Sequence, residues 1–271
     1  MKLSQKQLNT LSVCPRRFQQ TYIDQLISPP SFEQEERLAW GNRFHLLMQQ
    51  RELGLPIQNL IAENPQLGED LTALIEAAPD IFNSNSSSNA AKNTFREAEH
   101  QRTLHFGSHL LIGVYDLLIA DEKTAQILDW KTYPRPENYV NIKNNWQTRL
   151  YPYLLVETSD YLPEQVSVTY WFVKGKKNSG PEYLSLPYDS QKHQQTQQEL
   201  TQLIAQLDED LHRYEQGEPF PQVEVSTGSC QSCSFALRCQ RLQETEDNFE
   251  EFGEFNVNKL PNLAKIEEIP I

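Results

Sequence analysis

The stretch His109–Lys131, HLLIGVYDLLIADEKTAQILDWK, decides how this chain is read. His109–Ile119 has the apolar content of a strand, Asp121-Glu122-Lys123 supplies a polar turn, and Ala125–Leu128 enters a second strand that runs into Asp129-Trp130-Lys131. Side chains alternate along a strand, so Asp129 and Lys131 share one face and Trp130 takes the other. If Asp116, which closes Gly113-Val114-Tyr115-Asp116, points to the same place, two carboxylates can bind a hard divalent cation while Lys131 holds a water or a phosphate oxygen. An acid and a lysine two apart on a strand also describe a solvated pair on an exposed face, so the reading leans on residues elsewhere.

Working outward, Gly41-Asn42-Arg43-Phe44-His45 opens a helical segment that continues through Leu46, Leu47 and Met48, and a neutral imidazole at His45 is a possible additional metal ligand. Past the tripeptide, Ile142, Trp146, Leu150 and Leu154 carry helical periodicity, and Gln147 and Tyr151, four apart, project from one face of that helix. That face can reach a phosphate backbone, as can any capped surface helix. Pro152 should bend the segment or shift its start.

All four cysteines lie outside this central block: Cys14 near the start, then Cys230, Cys233 and Cys239 as C-x2-C-x5-C. One plus three thiols suggest a single four-thiolate site, which structural zinc and an iron-sulfur cluster can both take. Disulfides rank below both. Met1–Gln7 is polar and no apolar signal segment follows, so a cytoplasmic location is expected.

In chain order, His45, Gly113-x-x-Asp116, Asp129-x-Lys131 and Gln147-x-x-x-Tyr151 resemble the RecB-like branch of the PD-(D/E)XK nucleases. Cys14 in Ser12-Val13-Cys14-Pro15-Arg16-Arg17-Phe18, with the downstream triplet, is similar to the iron-sulfur members. These are the CRISPR adaptation exonucleases, the AddB subunit of helicase-nucleases and the nuclease domain of eukaryotic Okazaki-flap processing enzymes. The resemblance spans roughly residues 4 to 240. It implies a restriction-endonuclease-like α/β fold, with His45, Asp116, Asp129 and the Trp130 carbonyl as ligands of Mg or Mn. It further implies Lys131 orienting or activating the attacking water, Gln147 and Tyr151 supporting the site and contacting DNA, and Cys14, Cys230, Cys233 and Cys239 holding a [4Fe-4S] cluster, with zinc as the alternative. The family often carries one more acid on the preceding strand, a role for which Glu97 and Glu99 compete.

Elementary chemistry makes the same demands. In-line attack of water on a phosphodiester is eased when a metal acidifies the water and neutralises the charge building on phosphate, and a lysine adds a positive point charge. No Gly-x-Ser-x-Gly or reactive-cysteine context suggests a nucleophile-based triad. The expected activity is therefore a metal-dependent deoxyribonuclease, an exonuclease acting on single strands or ends, in repair, recombination or CRISPR adaptation. The alternative is a nuclease-derived DNA-binding or assembly module of weakened catalysis.

The net charge of −13 is the main objection, since nucleic-acid binders usually carry a basic surface. Residues 244–268 hold eight acids against Lys259 and Lys265, so the C-terminal tail accounts for six of those charges. Arg16, Arg17, Arg135, Lys143, Arg149, Lys174, Lys176 and Lys177 gather instead around the proposed site, as a modest basic cleft or as scattered surface charge. Weak DNA affinity alone, or help from a protein partner in a repair or adaptation complex, would follow. No apolar run approaches the length of a membrane span.

The remaining punctuation orders the chain. Ser4–Gln7 resembles a capping box that starts a first helix reaching Cys14, and residues 34–53 form a second helix bearing His45. Residues 54–94 read as a helical insertion broken by Pro56, Pro65 and Pro79, ending in the polar loop Asn83–Asn89. Strands follow from about Phe95 to Thr132, at Val166–Lys174 and, more weakly, at Pro181–Tyr188. Leu200, Leu203, Ile204, Leu207 and Leu211 stripe an amphipathic helix over 190–216. We expect one nuclease domain over 1–240, a mixed β-sheet flanked by helices with the two ends joined through the cysteines. An acidic tail over 241–271 would follow, disordered or docked through Phe249, Phe252 and Phe255.

Overall fold

Two strands of equal length organise the molecule. β2 (Phe95–Phe106) and β3 (His109–Ala120) run antiparallel along their whole lengths, joined by a tight turn in which Gly107 takes the left-handed backbone (φ 58) that L side chains disfavour. The opposite edge of β3 is shared. β1 (Lys2–Ser4) pairs with it in parallel at Leu110–Ile112, and β4 (Ala125–Lys131) pairs antiparallel at Leu117–Ala120. Between these two ladders, Gly113–Asp116 lie in a fork. β5 (Val166–Phe172) continues the sheet in parallel beside β4, and β6 (Glu182–Pro187) closes it antiparallel, for six strands in all.

This computed structural model describes residues 1–26, 32–82, 94–175 and 179–241. It divides into two compact units, Met1–Val223 and Glu224–Ile271, where the sequence suggested a boundary at 240. The expected loop Asn83–Asn89, Lys176 and Lys177, and the tail from residue 242 onward with its three phenylalanines lie outside the described residues. Among the described residues no helix is long and apolar enough to cross a membrane.

Helices cover both faces of the sheet. On one side α1 (Gln5–Val13), α8 (Trp146–Glu157) and α9 (Ser190–Glu215) bury Leu8, Leu11, Leu150, Leu154, Leu200, Ile204 and Leu207 with Leu111 of β3. On the other, α3 (Phe32–Glu52) and α5 (Pro65–Ala77) bury Phe44, Leu47, Leu67, Leu71 and Leu74 with Leu128 and Trp130 of β4. The region read as an insertion is thus part of a core. It comprises α4 (Gln58–Glu63), α5 and α6 (Pro79–Phe82), and Pro65 and Pro79 occupy first-turn positions, where their missing N–H groups cost nothing.

The helical run expected over Ile142–Leu154 is two helices. α7 (Val140–Asn144) ends at Asn145, whose extended backbone (φ −66, ψ 139) breaks the run and whose side chain caps α8 by accepting from Gln147 N at 2.8 Å. Pro152 sits inside α8, which runs on past it. At the start of the chain Gln7 accepts from Ser4 N and Ser4 Oγ, fixing the entry to α1, and Cys14 lies between α1 and α2 (Pro15–Phe18). Arg16 then ties α2 to the end of the first unit: its backbone N–H donates to Pro221 O at 3.0 Å and its Nε to Phe220 O at 2.6 Å.

Candidate active site

The site grows from a change of face in the β2–β3 ribbon. Leu111, Gly113 and Tyr115 of β3 pack on the α8 side, Gly113 against Leu154 and Tyr151 and Tyr115 Oη donating to Tyr151 O at 2.8 Å. Two residues beyond Tyr115, Leu117 packs on the α3 side, while Leu118 and Ala120 take over the α8 side. β2 does the same: Leu104 and Phe106 lie on the α8 side, Ala98 and Arg96 on the α3 side, the latter bound to Glu52. Both strands switch where Glu99 stands opposite Asp116, and Glu99 carries a positive φ of 52. Strained backbone of this kind persists only where its surroundings hold it, and it concentrates at functional sites.

The switch brings His45 of α3, Glu99 and Asp116 together, with one ligand atom of each within 4.8 Å of the others. Of the two acids, Glu99 is the one that lies with His45 and Asp116; Glu97 instead binds His100 Nδ1 at 2.6 Å and is half-exposed. Asp116 Oδ1 lies 3.3 Å from His45 Nδ1, and its Oδ2 accepts from Trp130 N at 2.7 Å. A strand residue presents its N–H and C=O to the same edge, so the Trp130 carbonyl projects toward the fork as well. Its indole turns the other way and stacks on Phe82 at 6.1 Å.

Asp129 and Lys131 lie beside this triad on a shared face. Lys131 Nζ is 2.6 Å from Asp129 Oδ1 and donates to Gln147 Oε1 at 2.7 Å, while Gln147 Nε2 donates to Asp129 Oδ2 at 2.5 Å. Asp129 Oδ1 is buried, with the Lys131 ammonium as its close ion-pair partner. Tyr151 is buried beneath Gln147, against the ring of Tyr115, and braces the floor of the cavity rather than its rim.

Electrostatics follow from crowding three acids into one fork. Burial raises the Asp129 carboxyl above its usual range, with Lys131 opposing, and burial followed by the Asp116 charge raises Glu99. Burial works against protonation of His45, but its hydrogen bond to Asp116 and the charges of Asp116, Asp129 and Glu99 hold its pKa up. Burial likewise disfavours the Lys131 ammonium, and Asp129 outweighs it. Such a nest of carboxylate oxygens and one imidazole matches the donor chemistry of a hard divalent cation.

The basic residues are more committed than the sequence suggested. Arg149 is paired with Glu199 at 2.5 Å, Arg135 with Glu182 at 3.6 Å, and Arg16 is spent on backbone carbonyls. The four cysteines form no disulfide and are partly buried; Cys14 belongs to the first unit and Cys230, Cys233 and Cys239 to the second.

A six-stranded mixed sheet between helical layers, with acids on adjoining strands and a lysine two residues beyond the second acid, defines a restriction-endonuclease-like α/β protein. The chain belongs to the PD-(D/E)XK nuclease superfamily, whose family model matches residues 2–240. Among solved structures it is similar to a Eubacterium rectale protein designated "Putative exonuclease", at 11% identity and a TM-score of 0.54 over 93% of each chain. It also matches SSO0001 at 14% identity and a TM-score of 0.37, covering 89% of this chain and 87% of that one. No curated protein matches the chain. At such identities the solved structures speak for the fold alone; the assignment to the superfamily rests on the family model.

Proposed function

We propose that this chain is a metal-dependent deoxyribonuclease that hydrolyses phosphodiester bonds as an exonuclease on single-stranded DNA or DNA ends. The observation that carries the reading is the convergence of His45, Glu99 and Asp116 within 4.8 Å, alongside the Asp129–Lys131–Gln147 cluster. His45, Asp116, Asp129 and the Trp130 carbonyl would hold Mg or Mn, with Glu99 as a further carboxylate. When bound, such a cation acidifies water and neutralises charge developing on the phosphate. Lys131, held as an ammonium, orients the attacking water or a non-bridging oxygen. Gln147 fixes both Asp129 and Lys131, so the carboxylate and the ammonium of the pair approach the phosphate in one geometry.

Membership of the nuclease superfamily supports cleavage of nucleic acid. Asp116→Asn and Asp129→Asn should each abolish Mn-dependent degradation of a labelled single-stranded oligodeoxynucleotide while keeping a wild-type circular dichroism spectrum. Cleavage persisting in both variants, after metal stripping and refilling with Mn, would remove the assignment. An inert wild-type chain that still binds DNA would favour an assembly module instead.

Cys14, Cys230, Cys233 and Cys239 would hold a [4Fe-4S] cluster, with zinc as the alternative occupant. Four cysteines outside any disulfide supply the donor number that both take.

A further inference from the structure

Beside the cavity that holds the acids runs a second, open groove of about 720 Å³ between α3 and the end of β4. Thr132 and Tyr133, the two residues after Lys131, line both. The two walls differ in a way that suits the two halves of a nucleotide. Tyr133 is 48% exposed, and its ring is propped by Phe172 at 5.9 Å and 64°, an edge contact that steadies the ring while leaving it half in solvent. Trp40 cannot offer a face in the same way. Phe44 stacks on it at 5.5 Å, and Lys174 Nζ stands 3.8 Å from its ring centroid. What Trp40 presents to the groove is thus a positioned ammonium, held by the ring quadrupole.

We propose that this groove is a single-strand subsite, in which the nucleotide adjoining the scissile phosphate stacks its base on Tyr133 and sets a backbone phosphate against Lys174. The inference rests on the nuclease reading and extends it, by naming what distinguishes a single strand from a duplex. A base can stack on a protein ring only after it leaves its neighbours, so the platform favours single strands and frayed ends. Stacking is tolerant of sequence because every base has a π-face. The groove is continuous with the acid cavity through two consecutive residues, which ties the base position to the reacting phosphate. On the α3 wall Arg37 is paired with Glu33 at 3.5 Å and Glu36 adds a further negative charge, so a phosphate is favoured on the Lys174 side of the groove.

The test separates this inference from the nuclease reading, because it measures binding without cleavage. In a full-length Asp116→Asn background, fluorescence anisotropy would follow a labelled oligothymidylate, alone and annealed to its complement. Tyr133→Ala should weaken binding of the single strand by about five- to hundredfold and leave duplex binding unchanged. Tyr133→Phe should bind as the parent does, and Tyr133→Leu, which keeps bulk without a π-face, should behave like the alanine variant. Lys174→Met should flatten the salt dependence of single-strand binding. Unchanged single-strand affinity in Tyr133→Ala, equal losses for strand and duplex, or a parent that binds neither, would overturn the subsite. If the native chain cleaves single strand and duplex alike and Tyr133→Ala does too, the nuclease stands and the subsite falls. If nothing is cleaved yet Tyr133 still governs strand binding, the reverse holds.

Discussion

Glu99 combines a left-handed backbone with a carboxylate pushed toward its neutral form, and the two can be told apart experimentally. A raised carboxyl pKa means the native state binds more protons than the unfolded chain across that window, so stability falls as pH rises through it. Without metal, Glu99→Gln should therefore raise the Tm at neutral pH, and the gain should shrink on acidification as the native carboxyl protonates. Glu99→Gly should add relief of backbone strain, worth roughly 1–2 kcal/mol before the entropy cost of glycine is set against it. With Mn present the order should invert, since the loss of a ligand reduces the stabilisation that binding confers. Thermal melts over pH with and without Mn check all three outcomes. Strand alternation was enough to place Asp129 and Lys131 on one face from sequence. Alternation could not separate Glu99 from Glu97, because β2 reads as polar on both sides and its change of face depends on a backbone angle rather than a periodicity.

Among the elements, β3 and α8 are in tight contact at Gly113. A Cβ there would stand 2.9 Å from Leu154 Cδ1 and 3.2 Å from Tyr151 Cδ1. Gly113→Ala should cost about 1–3 kcal/mol in urea unfolding, because the helix must move outward, and should lower turnover further by shifting Gln147 away from Asp129. A stability loss without a turnover loss would show that α8 yields locally. The glycine of Gly-x-x-Asp was visible in the sequence, but its reason was not: the contact is between strands and helix some forty residues apart. The division of the helical run at Asn145 escaped for a related cause, since Ile142 continues the apolar stripe across a cap that only the backbone reveals. Strand and helix bounds elsewhere follow the sequence closely, as at Ser190–Glu215, where the leucine stripe and an Asp189 cap agree.

At the scale of the whole molecule, the proposed cluster would close a loop from Cys14 to Cys230. By the cross-link argument a loop that long stabilises the folded state by on the order of 5 kcal/mol. Cys14→Ser and Cys233→Ser should each abolish the broad visible absorbance of anaerobically purified protein and lower the Tm by the same amount. Their double mutant should be little worse than either, because they act through one site. Additive losses would refute a shared site, and colourless wild-type protein with one zinc per chain would replace iron. Cysteine spacing was legible as a motif; the separation into two units was not, since composition scarcely changes at Val223. One last consequence concerns how copies of the chain would associate. The edge of β3 at Leu110–Ile112 is covered by only the three residues of β1. A chain shortened to begin at Gln5 would expose a ready template, an unpaired strand edge on which neighbouring copies could pair. Size-exclusion chromatography should then show edge-paired oligomers where the full chain elutes as a smaller species.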